Sequence, residues 1–218
     1  MDARVEVSGR PLSLSVHGRG ETVVVLGHGA GGTRRQPFLL RVADALAASG
    51  RAAVLHNFAY SEAGRRLPDP RPLLEAASAA ALAWAREALG ARRVVGGGRS
   101  MGGRMASQAV AGGLARADAL VFLGYPLHPP GEPQRLRDAH LYGLELPMLF
   151  VQGTRDAFAR EDLLRSVIER LGARATLVGI EDGDHGFGVR KRVVGRSNAE
   201  VEQEVCERVT GWLAALGF

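Results

Sequence analysis

Gly98-Arg99-Ser100-Met101-Gly102 decides how this chain is read. The pentapeptide follows Arg93-Val94-Val95-Gly96-Gly97, a short β-branched run. It precedes Gly103-Arg104-Met105-Ala106-Ser107-Gln108-Ala109-Val110, a segment that suits a helix. A strand that reverses sharply into a helix forces the residue between them into a strained backbone conformation, and flanking glycines leave room for the turn. Ser100 is therefore expected to stand above a sheet, at a helix N-terminus whose amides favour negative charge. The stretch reads as a nucleophile elbow. A chain with 29 glycines in 218 residues can produce the bare pattern by chance, so its weight comes from the strand–turn–helix setting.

Outward from the elbow, strands and helices alternate. Thr22-Val23-Val24-Val25-Leu26 is an apolar β-branched strand that runs into His28-Gly29-Ala30-Gly31-Gly32. Phe38, Leu39, Val42 and Leu46 keep a helical period, with Gly50 as the stop. Further strands are expected at Ala52–His56, Ala119–Leu123, Met148–Val151 and Ala175–Ile180. Further helices are expected between Pro72 and Leu89, from Arg160 to Leu171, and from Ser197-Asn198 to the end. Short, continuously apolar strands alternating with helices predict an α/β protein: a mostly parallel sheet covered on both faces. Val5-Glu6-Val7 and Leu12-Ser13-Leu14-Ser15-Val16 instead alternate around Gly9-Arg10-Pro11, which predicts an N-terminal antiparallel hairpin at one edge.

Composition narrows the classes. A hydrophobic content of 46% over 218 residues is enough for one domain, residues 1–218, with a substantial core. No apolar run approaches the roughly 20 residues a membrane helix needs. The first residues, Met1-Asp2-Ala3-Arg4-Val5-Glu6, lack the apolar stretch of a signal peptide, so the expected compartment is the cytoplasm. The lone Cys206 agrees, since it has no partner for an internal disulfide, and it is expected in the core. A net charge of +5 invites a nucleic-acid reading, but the charge is scattered arginine, with Lys191 the only lysine. Neither nucleic acid nor a membrane is expected as a partner.

In open α/β sheets ligands sit beyond the carboxyl ends of the strands. Ser100, Gln152-Gly153-Thr154-Arg155-Asp156, Glu181-Asp182-Gly183-Asp184-His185-Gly186-Phe187 and His28-Gly29-Ala30 all fall at such ends. The chain order Ser100, Asp156, His185 is the order of triads in the α/β-hydrolase fold. A serine needs a base during attack, and histidine, with an ordinary pKa of about 6.5, can take and return a proton near neutrality. Asp156 would hold the imidazole tautomer, with Asp182 and Asp184 as rivals closer in sequence to His185. Oxyanion donors are expected from the backbone N–H of Met101 and of Ala30 or Gly29. His28 is expected to brace that loop rather than react. The remaining histidines, His17, His56, His128 and His140, are read as structural or pocket-lining. The acids show no metal-ligand spacing, and the glycines lack a phosphate-loop ending, so no metal or cofactor is implied.

On these residues the chain resembles an α/β-hydrolase over nearly its whole length. Its brevity and the Tyr125-Pro126-Leu127-His128-Pro129-Pro130-Gly131 loop are similar to the small dienelactone-hydrolase-like branch. Dienelactone hydrolases proper carry a cysteine nucleophile, whereas this chain places Ser100 there. The resemblance therefore implies a serine-esterase-like reaction on a small carboxylic ester or thioester through an acyl-enzyme. A binding module with a vestigial site is the alternative. Gly124 to Pro147 is too short for a cap domain, which predicts an open site walled by Phe58, Tyr125, Phe158 and Phe187. Arg34 and Arg35, just past the oxyanion loop, could attract an anion, but two solvated arginines are the simpler reading.

Overall fold

The computed structural model describes residues 1–218. The chain opens with the antiparallel strands β1 (Asp2–Val7) and β2 (Arg10–Gly18), joined at Ser8-Gly9. Then follow β3 (Thr22–Gly27), α1 (Pro37–Ala48), β4 (Ala52–His56), the one-turn α2 (Ala59–Glu62) and α3 (Arg71–Ala88). The second half carries β5 (Arg93–Arg99), α4 (Met101–Ala111), β6 (Ala119–Leu123), β7 (Met148–Gly153) and α5 (Glu161–Leu171). It closes with β8 (Ala175–Ile180), the short α6 (Lys191–Val194) and α7 (Asn198–Ala215). All eight strands join one sheet in the order β1-β2-β4-β3-β5-β6-β7-β8. Strands β3 to β8 run parallel, and the hairpin joins antiparallel through β2 against β4.

The apolar runs are continuous because both sheet faces are buried. Val24, Leu26, Val95, Val121 and Leu149 pack with residues of α1 and α7. The alternate residues Val23, Val25 and Val94 pack with Leu74, Ala77 and Leu82 of α3. Leu120, Phe122 and Phe150 meet Leu164 and Val167 of α5. Cys206 lies in the first of these clusters, as its position on the apolar side of α7 predicts, and burial pushes its thiol up to about 11. Ser197 starts α7 with a capping box: its hydroxyl accepts the Glu200 N–H, and the Glu200 carboxylate accepts the Ser197 N–H at 2.7 Å.

The segment between β6 and β7 forms no separate cap. It turns back onto the domain, burying Tyr125, Leu127, Leu141 and Leu144 beside the α5 side of the core. No helix of the structure is long and apolar enough to cross a membrane.

Candidate active site

The elbow is built by close approach of two strands. Parallel pairing sets Gly27 of β3 beside Gly98 of β5. A methyl group at Gly98 would come within 2.2 Å of the Gly27 carbonyl oxygen, and one at Gly102 within 2.1 Å. Only glycine fits at either place. With that space closed, Ser100 is held at φ 50° and ψ −116°, a costly conformation for an L-residue. It precedes α4 but caps nothing: its side chain makes no hydrogen bond to the helix.

Its hydroxyl lies 2.8 Å from His185 Nε2 instead. The other ring nitrogen, Nδ1, lies 2.7 Å from Asp156 Oδ2. An ionised carboxylate only accepts, so Nδ1 carries the proton and Nε2 is free to receive one from the serine. Asp156, its side chain fully buried, also accepts the Phe158 N–H at 2.7 Å and an amide hydrogen of Gln152. The Phe158 ring, half-buried, lies against the imidazole with centroids 4.2 Å apart.

The rival acids are engaged elsewhere. Asp182 accepts the Arg190 N–H at 2.8 Å, pairs with the Arg190 guanidinium and faces Arg155 Nε at 2.8 Å. Arg190 first, and Arg155 with it, hold the Asp182 carboxyl well below the usual carboxylate range. Asp184 Oδ1 accepts the N–H groups of Gly186 and Gly188 at 2.7 and 2.8 Å, which shapes the loop on which His185 rides.

The β3 loop reaches the serine from the other side. A methyl group on Gly29 would lie 3.6 Å from Ser100 Cβ, so the loop backbone runs past Ser100. Gly32 N–H bonds Gly29 O at 3.1 Å, and Gly31 N–H bonds the Tyr60 hydroxyl at 3.1 Å, which holds the turn through Ala30. Met101 is the first residue of α4, where a backbone N–H has no partner within its own helix. His28 is fully buried, bonded to the Gly29 carbonyl at 2.8 Å and facing Ser61 Oγ at 3.1 Å. Burial lowers its pKa to about 4, so it braces this loop as a neutral ring. Burial lowers His56 and His140 to about 4 as well; they bond Asn57 O and Ser107 Oγ.

The structure corrects the expected aromatic walls. Phe58, Tyr125 and Phe187 are 0%, 1% and 1% exposed. Phe58 is wedged edge-on between His28 and His56, 4.9 Å from each ring. Tyr125 packs 5.0 Å from Phe122 and donates its hydroxyl to Arg137 O. Phe187 anchors the His185 loop in the core, 5.4 Å from Phe38. Each sits on a loop at the right edge of the sheet but turns inward, where burying a large ring is worth about 1.5–3 kcal/mol. Of the four, only Phe158 is not fully buried, and it lies against the His185 ring. Arg34 is tied down too: its N–H bonds Asn57 Oδ1 at 2.7 Å, and its guanidinium lies 3.3 Å from Asp2. Gln152 took no role in the sequence reading, although it stands four residues before Asp156 on the strand that delivers it.

A mostly parallel sheet that presents a strained serine after β5, an acid after β7 and a histidine after β8 defines the α/β-hydrolase class of fold. Residues 20–214 match the alpha/beta hydrolase domain family; the chain belongs to that family, and through it to the hydrolase class of enzymes. Among solved structures it resembles dienelactone hydrolase from Anabaena variabilis, at 21% identity and a TM-score of 0.77, covering 99% of this chain and 96% of that one. It also resembles Thermogutta terrifontis esterase 2 phosphonylated by cyclosarin, at 22% identity and a TM-score of 0.79, covering 100% and 94%. A lidless α/β serine hydrolase of Xanthomonas campestris matches at 19% identity and a TM-score of 0.71, covering 97% and 94%. At these identities the likeness is one of fold.

Proposed function

We propose that this protein is a serine hydrolase that cleaves a small carboxylic ester or thioester through an acyl-enzyme. The observation that carries the reading is the continuous row Ser100 Oγ–His185 Nε2–Asp156, with links of 2.8 and 2.7 Å. Ser100 Oγ attacks the acyl carbon as its proton passes to His185 Nε2, and Asp156 stabilises the imidazolium. The oxyanion is held by the N–H of Met101 and that of Ala30 or Gly29. His185 then protonates the departing alcohol or thiol, leaving an ester on Ser100. In the second half His185 takes a proton from water, the hydroxide attacks the acyl carbon, and the acid leaves as Ser100 recovers its hydrogen.

The absence of a separate cap supports a small or protruding acyl group rather than a long chain held in a tunnel. The proposed partner is the small-molecule substrate, with no nucleic acid or membrane, and the proposed site of action is the cytoplasm, on the strength of the single buried cysteine.

The test is covalent labelling with a fluorophosphonate, with the modified residue located by mass spectrometry. Labelling at Ser100 that disappears in His185→Ala supports the reading. A folded protein that resists the probe overturns it, in favour of a binding module with a vestigial site.

A further inference from the structure

Gln152 is the fifth residue of β7 and is 4% exposed. Its Oε1 accepts the backbone N–H of Tyr125 at 2.8 Å. A backbone N–H can only donate, so the amide cannot be flipped, and its NH₂ group must face the other way. There it donates to Asp156 Oδ2, the same oxygen that accepts His185 Nδ1–H. Asp156 Oδ1 is taken by the Phe158 N–H. The carboxylate thus receives three N–H donors, of which only the imidazole can become a cation. Asp182 shows the contrast: two arginines neutralise it, and it has nothing left with which to hold an imidazolium.

We infer that Gln152 is a positioning residue for the proposed hydrolase: clamped by the Tyr125 N–H, it fixes the plane of the Asp156 carboxylate on His185 without supplying a competing charge. The inference rests on the hydrolase reading for its effect on rate, though not for the geometry. Other ionisable groups on the surrounding elements, Arg99 apart, have partners of their own. The Tyr125 hydroxyl bonds Arg137 O, and the His128 ring bonds Pro129 O and the Arg160 N–H. Arg155 pairs with Asp182 and Asp184 takes the loop amides; Arg99 of β5, which forms no ion pair, lies against Gly186 and within the field of Asp184.

Two substitutions separate positioning from mere packing. Gln152→Met keeps the bulk and loses both bonds. Gln152→Glu keeps both bonds while its carboxyl is protonated, with C=O toward Tyr125 and O–H toward Asp156. Once ionised it sets one carboxylate against another. The experiment measures the fluorophosphonate labelling rate of Ser100 against pH. Gln152→Met is expected to label about 10- to 100-fold more slowly at every pH, by analogy with the cost of losing the hydrogen-bond partners that orient metal ligands. Gln152→Glu is expected to approach the parent rate at low pH and to gain a new descending limb as its carboxyl ionises. Gln152→Met labelling at the parent rate at every pH overturns the inference.

Proton NMR of the unsubstituted protein needs neither variant to fold. The Gln152 NH₂ protons are expected to be protected from exchange and close in space to His185 Nδ1–H; exchange at the rate of a free amide overturns the inference. Protection in a protein that the probe never labels leaves the positioning intact and removes the hydrolase reading alone.

Discussion

Asp156 and Asp182 are both buried carboxylates on loops beyond the sheet's carboxyl edge, yet they do opposite things. Asp182 lies three residues from His185 and spends its charge on Arg190 and Arg155. Asp156 lies 29 residues away and meets no guanidinium; its partners are an imidazole, an amide side chain and a backbone N–H. Nearness along the chain therefore does not choose the acid. The choice falls to the carboxylate whose charge is still unspent when the imidazole needs it. An acid already paired with arginine makes a good brace and a poor triad member, since a second cation gains little from a carboxylate that is already neutralised.

This contrast can be broken by measurement. The largest effect is expected from Ser100→Ala, which removes the proposed nucleophile that either acid would serve; turnover should fall by about 10⁶. Turnover of Ser100→Ala within tenfold of the parent's would falsify the mechanism. Asp156→Asn keeps the shape of the side chain but favours the wrong imidazole tautomer, and turnover is expected to drop about 10⁴-fold. If Asp182→Asn produced that drop and Asp156→Asn did not, the two acids would have to exchange roles.

Phe187→Ala, in the same loop as Asp182, should cost about 3–5 kcal/mol of stability, read from denaturant unfolding, because the ring is core and not pocket wall. The smallest effect on turnover is expected from Asp182→Asn, which should change it less than tenfold while lowering the melting temperature at pH 7. The folded-state pKa of Asp182 is depressed, so its stabilisation is present above the unfolded value and is lost as pH falls through the folded one. The gap in melting temperature between parent and Asp182→Asn should therefore close as pH drops below about 4, near the ordinary aspartate pKa. A gap independent of pH would mean that the arginine pairs contribute nothing to folding.

A second pair of regions shows the same divide between local and tertiary control. The elbow was legible because its constraint is local: glycines at 98 and 102, a β-branched strand before and a helix after leave few backbone solutions. The strands were legible for a related reason, since burial on two faces writes an unbroken apolar run. The Phe58, Tyr125 and Phe187 loops were legible in position but not in orientation. Whether a loop aromatic faces a pocket or the core depends on the space beneath it, and that space is made by residues far away in the chain, such as Phe38 for Phe187 and Phe150 for Tyr125.

From its sequence alone, then, this chain declares an α/β-hydrolase fold, an edge hairpin, a serine at an elbow, and an acid and a histidine at later strand ends in the right order. Those features depend on period, turn chemistry and chain order, which are properties of neighbouring residues. The tertiary structure alone decided that Asp182 is taken up by Arg190 and Arg155, that Gln152 turns its amide on Asp156, and that three aromatic rings are core. Each of those outcomes depends on which hydrogen-bonding and packing partners a side chain finds across the sheet, and the buried polar groups had to be paired there or not at all.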